Sequence, residues 1–192
     1  MIKKYIWRLF NLLNKYIASP RMVLGYTRAD KIYLPRTRIS NTVDIINPKQ
    51  LDIADNVFIW HNSILECSNG LTIEEGCQIG ANVLIATHSS HIAIRLYGKH
   101  YINQPSYIGY ITGTVKIGKY SFIGPHATLM PGSQLGKGSI VAAYSLVKGT
   151  FPDFAIIAGN PAQKVGDTRE MDKKYLATHP ELAIYYNEWA NT

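Results

Sequence analysis

Residues 111–152 read ITGTVK-IGKYSF-IGPHAT-LMPGSQ-LGKGSI-VAAYSL-VKGTFP, which is seven consecutive units of six residues. The units open with the aliphatic residues Ile111, Ile117, Ile123, Leu129, Leu135, Val141 and Val147, and a mostly small residue stands four places later at Val115, Ser121, Ala127, Ser133, Ser139 and Ser145. A period of six fits neither a helical stripe nor a simple hairpin sheet. It predicts a short extended segment and a bend per unit, stacked as an all-β solenoid.

The same period extends upstream of residue 111. It runs through Ile53, Ile59 and Leu65, slips by two residues near 67–70, and resumes at Cys67, Ile73, Ile79 and Ile85. We therefore predict a solenoid domain over 21–165, with irregular lead-in coils over 21–50. The period disappears between Ile85 and Ile111, which predicts a long excursion loop over 86–110. A long insertion on a rigid scaffold is a common place for function.

The sequence predicts helices at both ends of the solenoid. Residues 2–18 carry apolar side chains at helical spacing, with Lys3, Lys4, Arg8 and Lys15 between them. We predict a basic amphipathic helix in segment 1–20. It either packs on the solenoid end or a neighbouring subunit, or contacts anionic membrane lipid. In segment 166–192 we predict a helical cap of the solenoid that is interrupted at His179 and Pro180.

Charge and composition exclude several classes of protein. Residues 1–40 hold nine basic residues against Asp30, a net +8, so the remaining 152 residues of the +7 chain sum to −1. Basicity confined to one arm argues against a nucleic-acid partner. The sequence has no long uncharged apolar run and no secretory signal pattern. We expect a cytoplasmic location, at the inner membrane face if the helix binds lipid, with Cys67 and Cys77 reduced in the core.

The histidines are the candidate chemical groups. Three of the six, His88, His91 and His100, lie in the excursion, and a neutral imidazole is a natural general base near neutral pH. The excursion contains no Asp or Glu, which argues against glycosidase chemistry there. No phosphate-binding glycine loop or serine nucleophile motif is present. We predict no metal site, because a third and a fourth ligand cannot be identified from the sequence.

Together, the Ile-Gly-x-x-Ser/Ala-x repeats, the histidine-bearing loop and the ending Ile157-Ala158-Gly159-Asn160-Pro161-Ala162 resemble the hexapeptide-repeat acyltransferases. The similarity is to the galactoside, maltose and virginiamycin acetyltransferase branch and to the O-acetyltransferases of bacterial surface polysaccharides. It covers roughly residues 53–165. The resemblance implies a left-handed parallel β-helix, a homotrimer, and acetyl-CoA bound in the groove between adjacent solenoids.

The resemblance also implies site residues. Relatives of the form Thr-Ser-Asp-x-His-Pro-Ile align with His91, and relatives of the form Asp-His-x-His favour His88, so both are candidates for the catalytic base. Phe122 stands where the family usually has Trp, and Tyr144 replaces a glycine of the pantetheine-contacting coil. The implied cofactor contacts are Phe122, Gly124, Ala142, Ala143, Lys148 and Lys164. The candidate acceptor contacts are His61, Asn62 and Arg95.

The predicted function is acetyl transfer from acetyl-CoA to a saccharide hydroxyl, on a small-molecule or lipid-linked precursor in surface polysaccharide, O-antigen or capsule biosynthesis. A loop histidine would act as general base in a direct transfer. Three alternatives stay open: N-acetylation of an amino sugar or antibiotic, a zinc carbonic anhydrase on the same solenoid, and a non-catalytic structural solenoid.

Overall fold

The computed structural model describes residues 2–191, and only the backbone of Ile2, Lys3, Asn14, Tyr16, Ile17 and Ala18. Met1 and Thr192, at the ends of the predicted segments 1–20 and 166–192, lie outside the described residues. The same holds for the predicted apolar side chains of Ile2, Tyr16 and Ile17 and for the basic side chain of Lys3.

The chain begins with a helix, continues with short strands, and ends in helices. The helices are α1 Ile2–Ala18, α2 Ala93–Tyr97, α3 Thr168–Thr178 and α4 Ala183–Ala190, with 3-10 turns at Pro48–Gln50, Gly98–Asn103 and Pro180–Leu182. The strands are β1 Met22–Thr27, β2 Tyr33–Ser40, β3 Asp44–Ile46, β4 Leu51–Ile53, β5 Phe58–Ile59, β6 Ile64–Glu66, β7 Leu71–Ile73, β8 Gln78–Ile79, β9 Leu84–Ala86, β10 His88–Ser89, β11 Ile111–Thr112, β12 Val115–Ile117, β13 Phe122–Ile123, β14 Thr128–Leu129, β15 Gln134–Leu135, β16 Ile140–Val141, β17 Leu146–Val147, β18 Thr150–Phe151, β19 Ala155–Gly159 and β20 Ala162–Asp167.

Consecutive strands visit three sheets in turn. Sheet A has the order β1-β2-β5-β8-β13-β16-β19-β20, sheet B β3-β6-β9-β14-β17, and sheet C β4-β7-β12-β15-β18. Neighbouring solenoid strands pair in parallel within each sheet. Each coil therefore contributes one strand to A, B and C. We call the bend between an A strand and the next B strand the A/B corner, and the bend between B and C the B/C corner.

The predicted core positions lie inside this triangle of sheets. Ile117, Ile123, Leu129, Leu135, Val141 and Val147 are at most 2% exposed, and the small residues four places on are equally buried. Ile111 is the exception, because it is half-buried in β11 and pairs with β10 outside the solenoid wall. Each fully buried aliphatic side chain contributes about 1.5–3 kcal/mol to stability.

The expectation of irregular coils over 21–50 is wrong for most of that range. Strands β1 and β2 form an antiparallel hairpin in which Met22 faces Ser40, and β2 already pairs in parallel with β5. The predicted slip near 67–70 corresponds to extra residues at the B/C corner, where Gly70 has a φ of 95°. Only a residue without Cβ adopts that conformation without strain.

The excursion leaves the solenoid after β9 and returns at β12. It contains the antiparallel pair β10–β11, helix α2 and a 3-10 turn, so it is structured along much of its length. Strand β12 then pairs with β7, with Val115 opposite Leu71, and the coil closes as if nothing had been inserted.

The chain ends lie outside the coils. Strands β19 and β20 form a hairpin across the cis peptide Asn160–Pro161. Helices α3 and α4 follow, separated at His179 and Pro180, and Trp189 of α4 packs against Tyr120 and Phe154. Among the described residues, none of the helices has the length and hydropathy needed to cross a bilayer.

Candidate active site

A carboxylate and an imidazole meet where the excursion leaves the solenoid. Strand β6 ends at Glu66, which pairs with Ala86 at the end of β9, and His88 follows two residues later. His88 Nδ1 lies 2.9 Å from Glu66 Oε2, and the His88 side chain is 34% exposed while that of Glu66 is only 10% exposed. A buried acid thus lies beside a half-exposed base, an arrangement that can orient an imidazole for proton transfer.

Glu66 is held as a carboxylate by its neighbours. Its Oε2 accepts hydrogen bonds from the backbone N–H of Thr87 at 2.9 Å and from the Thr87 hydroxyl at 2.6 Å, and its Oε1 accepts from the Ser68 N–H at 2.9 Å. Burial by itself raises the pKa of Glu66, but these hydrogen bonds outweigh it and lower the pKa to about 2. Glu66 is therefore ionised at neutral pH.

The contact between the two groups is close but not aligned. His88 Nδ1 is buried and makes no hydrogen bond of ordinary geometry, although Oε2 lies within ion-pair distance. The 2.9 Å contact is therefore electrostatic rather than an in-line hydrogen bond. Hydrogen bonds of catalytic groups are often poorly aligned in a free enzyme and tighten when the substrates bind.

Tyrosines of the excursion form a row of rings that ends at His88. Tyr110 stacks on the imidazole with ring centroids 5.3 Å apart and an interplanar angle of 15°. Tyr107 lies 5.9 Å from Tyr110, and Tyr101 stacks on Tyr107 at 4.4 Å. Burial raises the pKa of Tyr110, and the nearby Tyr101 and Glu66 raise it further. The excursion is thereby packed against the candidate base.

His91, the other candidate base, has different surroundings. Its side chain is exposed, its Nδ1 lies 2.8 Å from the Ser89 hydroxyl, and its carbonyl oxygen accepts a hydrogen bond from Arg95. Within residues 2–191 no carboxylate lies within ion-pair distance of its ring. The geometry therefore favours His88 over His91, and Arg95 contacts the His91 backbone.

The implied cofactor residues lie mainly on sheet A and at the A/B corner. Phe122 lies on β13 beside Gln78, Gly124 and the Ala142–Ala143 pair follow β13 and β16, and Lys164 lies opposite Ile157. Lys148 instead follows β17 at the B/C corner, in the row that contains Ala86. About five residues of extended chain separate the two corners, roughly 15 Å. A single chain therefore does not bring the residues of sheet A and the A/B corner together with His88, whereas Lys148 lies at the same corner as His88.

Gly124 and the neighbouring corner residue Tyr144 have local structures that explain their residue types. A Cβ on Gly124 would lie 2.5 Å from the backbone nitrogen of Ala143, so the glycine is required for the coils to stack. Tyr144 has a φ of 60° at the A/B corner, is 73% exposed, and stacks on His126 at 4.8 Å. The tyrosine therefore occupies a corner where the left-handed conformation favours glycine or asparagine.

The candidate acceptor residues His61 and Asn62 lie at the A/B corner, one coil before Asn82. His61 Nδ1 is 2.6 Å from the Ser40 hydroxyl, and the backbone N–H of Asn62 donates to Thr42 Oγ1 at 3.0 Å. Both residues are therefore on the same side of the chain as the implied cofactor contacts, and across sheet B from His88.

Other features of the surface do not add to this site. A cavity of about 680 Å³ lies between Tyr120 and helices α3 and α4, and none of the predicted site residues lines it. In the part of the chain that the structure describes, no group of three or more His, Cys, Asp or Glu side chains could hold a metal ion.

Sequence reasoning missed Glu66 and Tyr110. Glu66 lies 22 residues before His88, outside the excursion that carries the candidate histidines. The signal was present, because Leu65 and Ile85 occupy equivalent core positions and Glu66 directly follows Leu65. The two-residue slip at 67–70 concealed that equivalence.

The comparisons with known proteins agree with the repeat architecture. Residues 114–149 match the model of the family described as bacterial transferase hexapeptide (six repeats). The chain is 26% identical over 136 residues to galactoside O-acetyltransferase of Escherichia coli, covering 67% of this chain and 62% of that one. It is 40% identical over 80 residues to a chloramphenicol acetyltransferase of Klebsiella aerogenes, covering 41% and 34%.

Solved structures show the same fold. A galactoside acetyltransferase in complex with coenzyme A matches with a TM-score of 0.58 at 23% identity, over 68% of this chain and 62% of that one. The family model and the relatives confirm the resemblance to hexapeptide-repeat acyltransferases, and the solved structure shows the same fold. The chain spans between 24% and 62% of the length of eight curated relatives that it matches.

Proposed function

We propose that this protein transfers the acetyl group of acetyl-CoA to a hydroxyl of a saccharide, with His88 as the general base. The contact of 2.9 Å between His88 and the ionised Glu66 carries the proposal. The relatives support its reaction class, since those described above are named as acetyltransferases and one matching structure contains coenzyme A. We also propose that the solenoid coils in the left-handed sense. The acceptor in this proposal is a precursor in surface polysaccharide biosynthesis.

The reaction is a direct transfer. His88 Nε2 takes the proton of the acceptor hydroxyl as its oxygen attacks the thioester carbonyl carbon. The tetrahedral intermediate then collapses, the carbon–sulfur bond breaks, and the imidazolium returns the proton to the departing thiolate. Glu66 stabilises the imidazolium while it exists. Acetyl-CoA and the alcohol are thereby converted into the acetyl ester and free CoA, and holding both substrates in one cleft supplies much of the acceleration.

The distribution of residues supports a site between copies of the chain. His88 and Lys148 lie at the B/C corner, whereas Gly124, Ala142 and Ala143 lie at the A/B corner. In a homotrimer, the A/B corner of one subunit would face the B/C corner of the next. Mixing His88→Ala with Ala142→Trp, each inactive alone, should restore part of the activity. Mixtures that stay inactive while forming mixed oligomers would contradict a shared site.

The test of the reaction is CoA release measured with a thiol reagent across a panel of acceptors. We expect a saccharide alcohol to be turned over, His88→Ala to lose at least about 100-fold in kcat, and His91→Ala to keep most of the activity. Activity retained in His88→Ala would refute the base assignment. Faster turnover of an amino sugar or of chloramphenicol would favour N-acetylation or antibiotic acetylation instead.

We also propose that α1 contacts an anionic membrane surface. Its described apolar side chains, from Tyr5 to Leu13, are 48–64% exposed, so the solenoid does not cover them. Lys4, Arg8 and Lys15 are the charged residues described on the helix, and the first acidic residue of the chain is Asp30. Apolar area combined with unopposed positive charge is typical of helices that lie in the headgroup region of the inner leaflet.

Sedimentation with vesicles tests this second proposal. We expect the protein to bind vesicles of 70% phosphatidylcholine and 30% phosphatidylglycerol, and not pure phosphatidylcholine. The double variant Leu9→Asn/Leu13→Asn should lose the binding, whereas Val165→Asn, which changes an exposed apolar residue elsewhere, should keep it. Absence of binding by the unchanged protein, combined with oligomers that depend on α1, would assign the helix to subunit contacts.

A further inference from the structure

We propose that Tyr110 is a positioning residue for His88, and that the row of Tyr101, Tyr107 and Tyr110 couples the excursion to the base. The proposal rests on the proposed function, because it presumes that His88 takes a proton. It adds a residue to which neither the sequence nor the relatives assign a role.

The imidazole of His88 is restrained from two directions. Glu66 Oε2 lies 2.9 Å from Nδ1 at the edge of the ring, and the Tyr110 ring covers one face at 5.3 Å and 15°. The carboxylate alone leaves the ring free to tilt, because the contact is not an aligned hydrogen bond. Stacking restricts the tilt of the ring, so the two contacts together define where Nε2 points.

Tyr110 is itself held in place by the excursion. Tyr107 contacts it at 5.9 Å, Tyr101 stacks on Tyr107 at 4.4 Å, and Tyr97 meets Tyr107 edge-on at 6.1 Å. The Tyr97 hydroxyl also accepts a hydrogen bond from the backbone N–H of Ile108 at 3.0 Å. Centroid distances in this range are favourable for aromatic pairs. A change at the excursion surface can therefore reach His88 through packed rings.

The face of an aromatic ring also favours a cation above it. As His88 takes the proton, it becomes an imidazolium lying over the Tyr110 ring, which attracts positive charge. This attraction arises during the reaction and is absent while acetyl-CoA merely binds. Loss of the ring should therefore lower kcat and leave the KM for acetyl-CoA nearly unchanged.

The ring of phenylalanine retains both the stacking on the imidazole and the attraction for the imidazolium, whereas an aliphatic side chain retains neither. We expect Tyr110→Leu to lower kcat about 10- to 100-fold, with Tyr110→Phe within about threefold of the unchanged protein. Tyr185→Leu removes a tyrosine that is 66% exposed on α4 and serves as the matched control. Should Tyr110→Leu fail to fold, as judged by circular dichroism, Tyr110→Met replaces it.

Nuclear magnetic resonance provides a readout that does not need activity. The ring C–H signals of His88, assigned by their loss in His88→Ala, should show the upfield shift caused by a stacked aromatic ring. Tyr110→Leu should abolish that shift and Tyr110→Phe should keep it. The signals of His126, which stacks on Tyr144 at 4.8 Å and 3°, should not move in either variant and are an internal reference.

The outcomes separate this proposal from the one it rests on. A lost ring shift together with an unchanged kcat in Tyr110→Leu would overturn the positioning role and leave His88 as the base. A kcat as low in Tyr110→Phe as in Tyr110→Leu would overturn it too, because the ring is then irrelevant. Full activity of His88→Ala would overturn the proposed function, and the positioning role with it.

Discussion

Replacing Glu66 by glutamine tests the charge on which the candidate site depends. The amide has nearly the shape of the carboxylate but only one acceptor oxygen. In the protein, Oε1 accepts from Ser68 and Oε2 accepts twice from Thr87, so either orientation of the amide places an N–H₂ group against a backbone donor. At least one backbone donor then loses its acceptor, and His88 loses its negative neighbour.

The cost of this change depends on pH in a calculable way. The pKa of Glu66 is lowered from 4.5 to about 2 by its hydrogen bonds, in spite of burial. A lowered folded-state pKa contributes stability above the unfolded-state pKa, and this stability is lost as the pH falls towards the folded-state pKa. The contribution is about 3 kcal/mol at pH 7 and about 1.5 kcal/mol at pH 3, and it approaches zero only below pH ~2.

Urea unfolding between pH 7 and pH 3 measures this contribution. The free energy of unfolding should be about 3 kcal/mol lower in Glu66→Gln than in the unchanged protein at pH 7, and the difference should halve by pH 3. The matched control is Glu74→Gln, because Glu74 also accepts a backbone N–H, from Lys119, and pairs with Lys116 at 2.8 Å, but has no histidine partner. We expect kcat to fall about 100-fold in Glu66→Gln only.

Two results would refute the reasoning. A stability difference that stays constant from pH 7 to pH 3 would mean that the Glu66 charge is not stabilised in the folded chain. An unchanged kcat in Glu66→Gln, with the expected loss of stability, would mean that the carboxylate supports the corner of the solenoid and not the base.

Three further predictions concern the scaffold. Gly118→Ala should lower the free energy of unfolding by more than about 2 kcal/mol, since its Cβ would lie 2.5 Å from a backbone nitrogen. Gly132→Ala serves as the control, because a Cβ there would meet no atom within 4 Å. It should cost only about 1 kcal/mol, owing to the φ of 82°. Cys67 and Cys77, whose pKa values burial raises to about 12, should react with a thiol reagent only after denaturation. Asp167→Ala should cost about 1 kcal/mol in thermal unfolding, because Asp167 caps α3 through the Arg169 N–H, and Asp167→Asn should recover most of it.

The coil positions were predictable because the solenoid repeats one local rule. Every sixth residue meets the same environment, so Ile117 and Val141 are buried for the same reason. The hairpin of β1 and β2 was not predictable in this way, because it lies before the repeat and its strands alternate irregularly between buried and exposed residues. Gly25, with a φ of 84°, marks the irregularity in its register.

The candidate site was only half predictable for a related reason. The excursion is evident because it interrupts the period, and this interruption marks its histidines as candidate groups. Glu66 belongs to the periodic part and looks like an ordinary wall position until the pairing of β6 with β9 places it beside the excursion. Tyr110 has no periodic signal at all, because its position depends on how the excursion folds back on itself.

The position of the excursion explains how an insertion in the solenoid can carry a well-placed candidate base. Glu66 and Ala86 lie on adjacent rungs of sheet B, about 4.8 Å apart, so the parallel ladder fixes the distance from the carboxylate to the start of the excursion. Thr87, the first residue after Ala86, is fully buried. Its hydroxyl donates to Glu66 and accepts a hydrogen bond from the Asn69 N–H of the preceding coil, so Thr87 is held in place as well. His88 therefore derives its position from the backbone of the solenoid. Stacking of Tyr110 then sets the tilt of the imidazole, so we expect acceptor specificity to reside in excursion residues outside the row of Tyr101, Tyr107 and Tyr110.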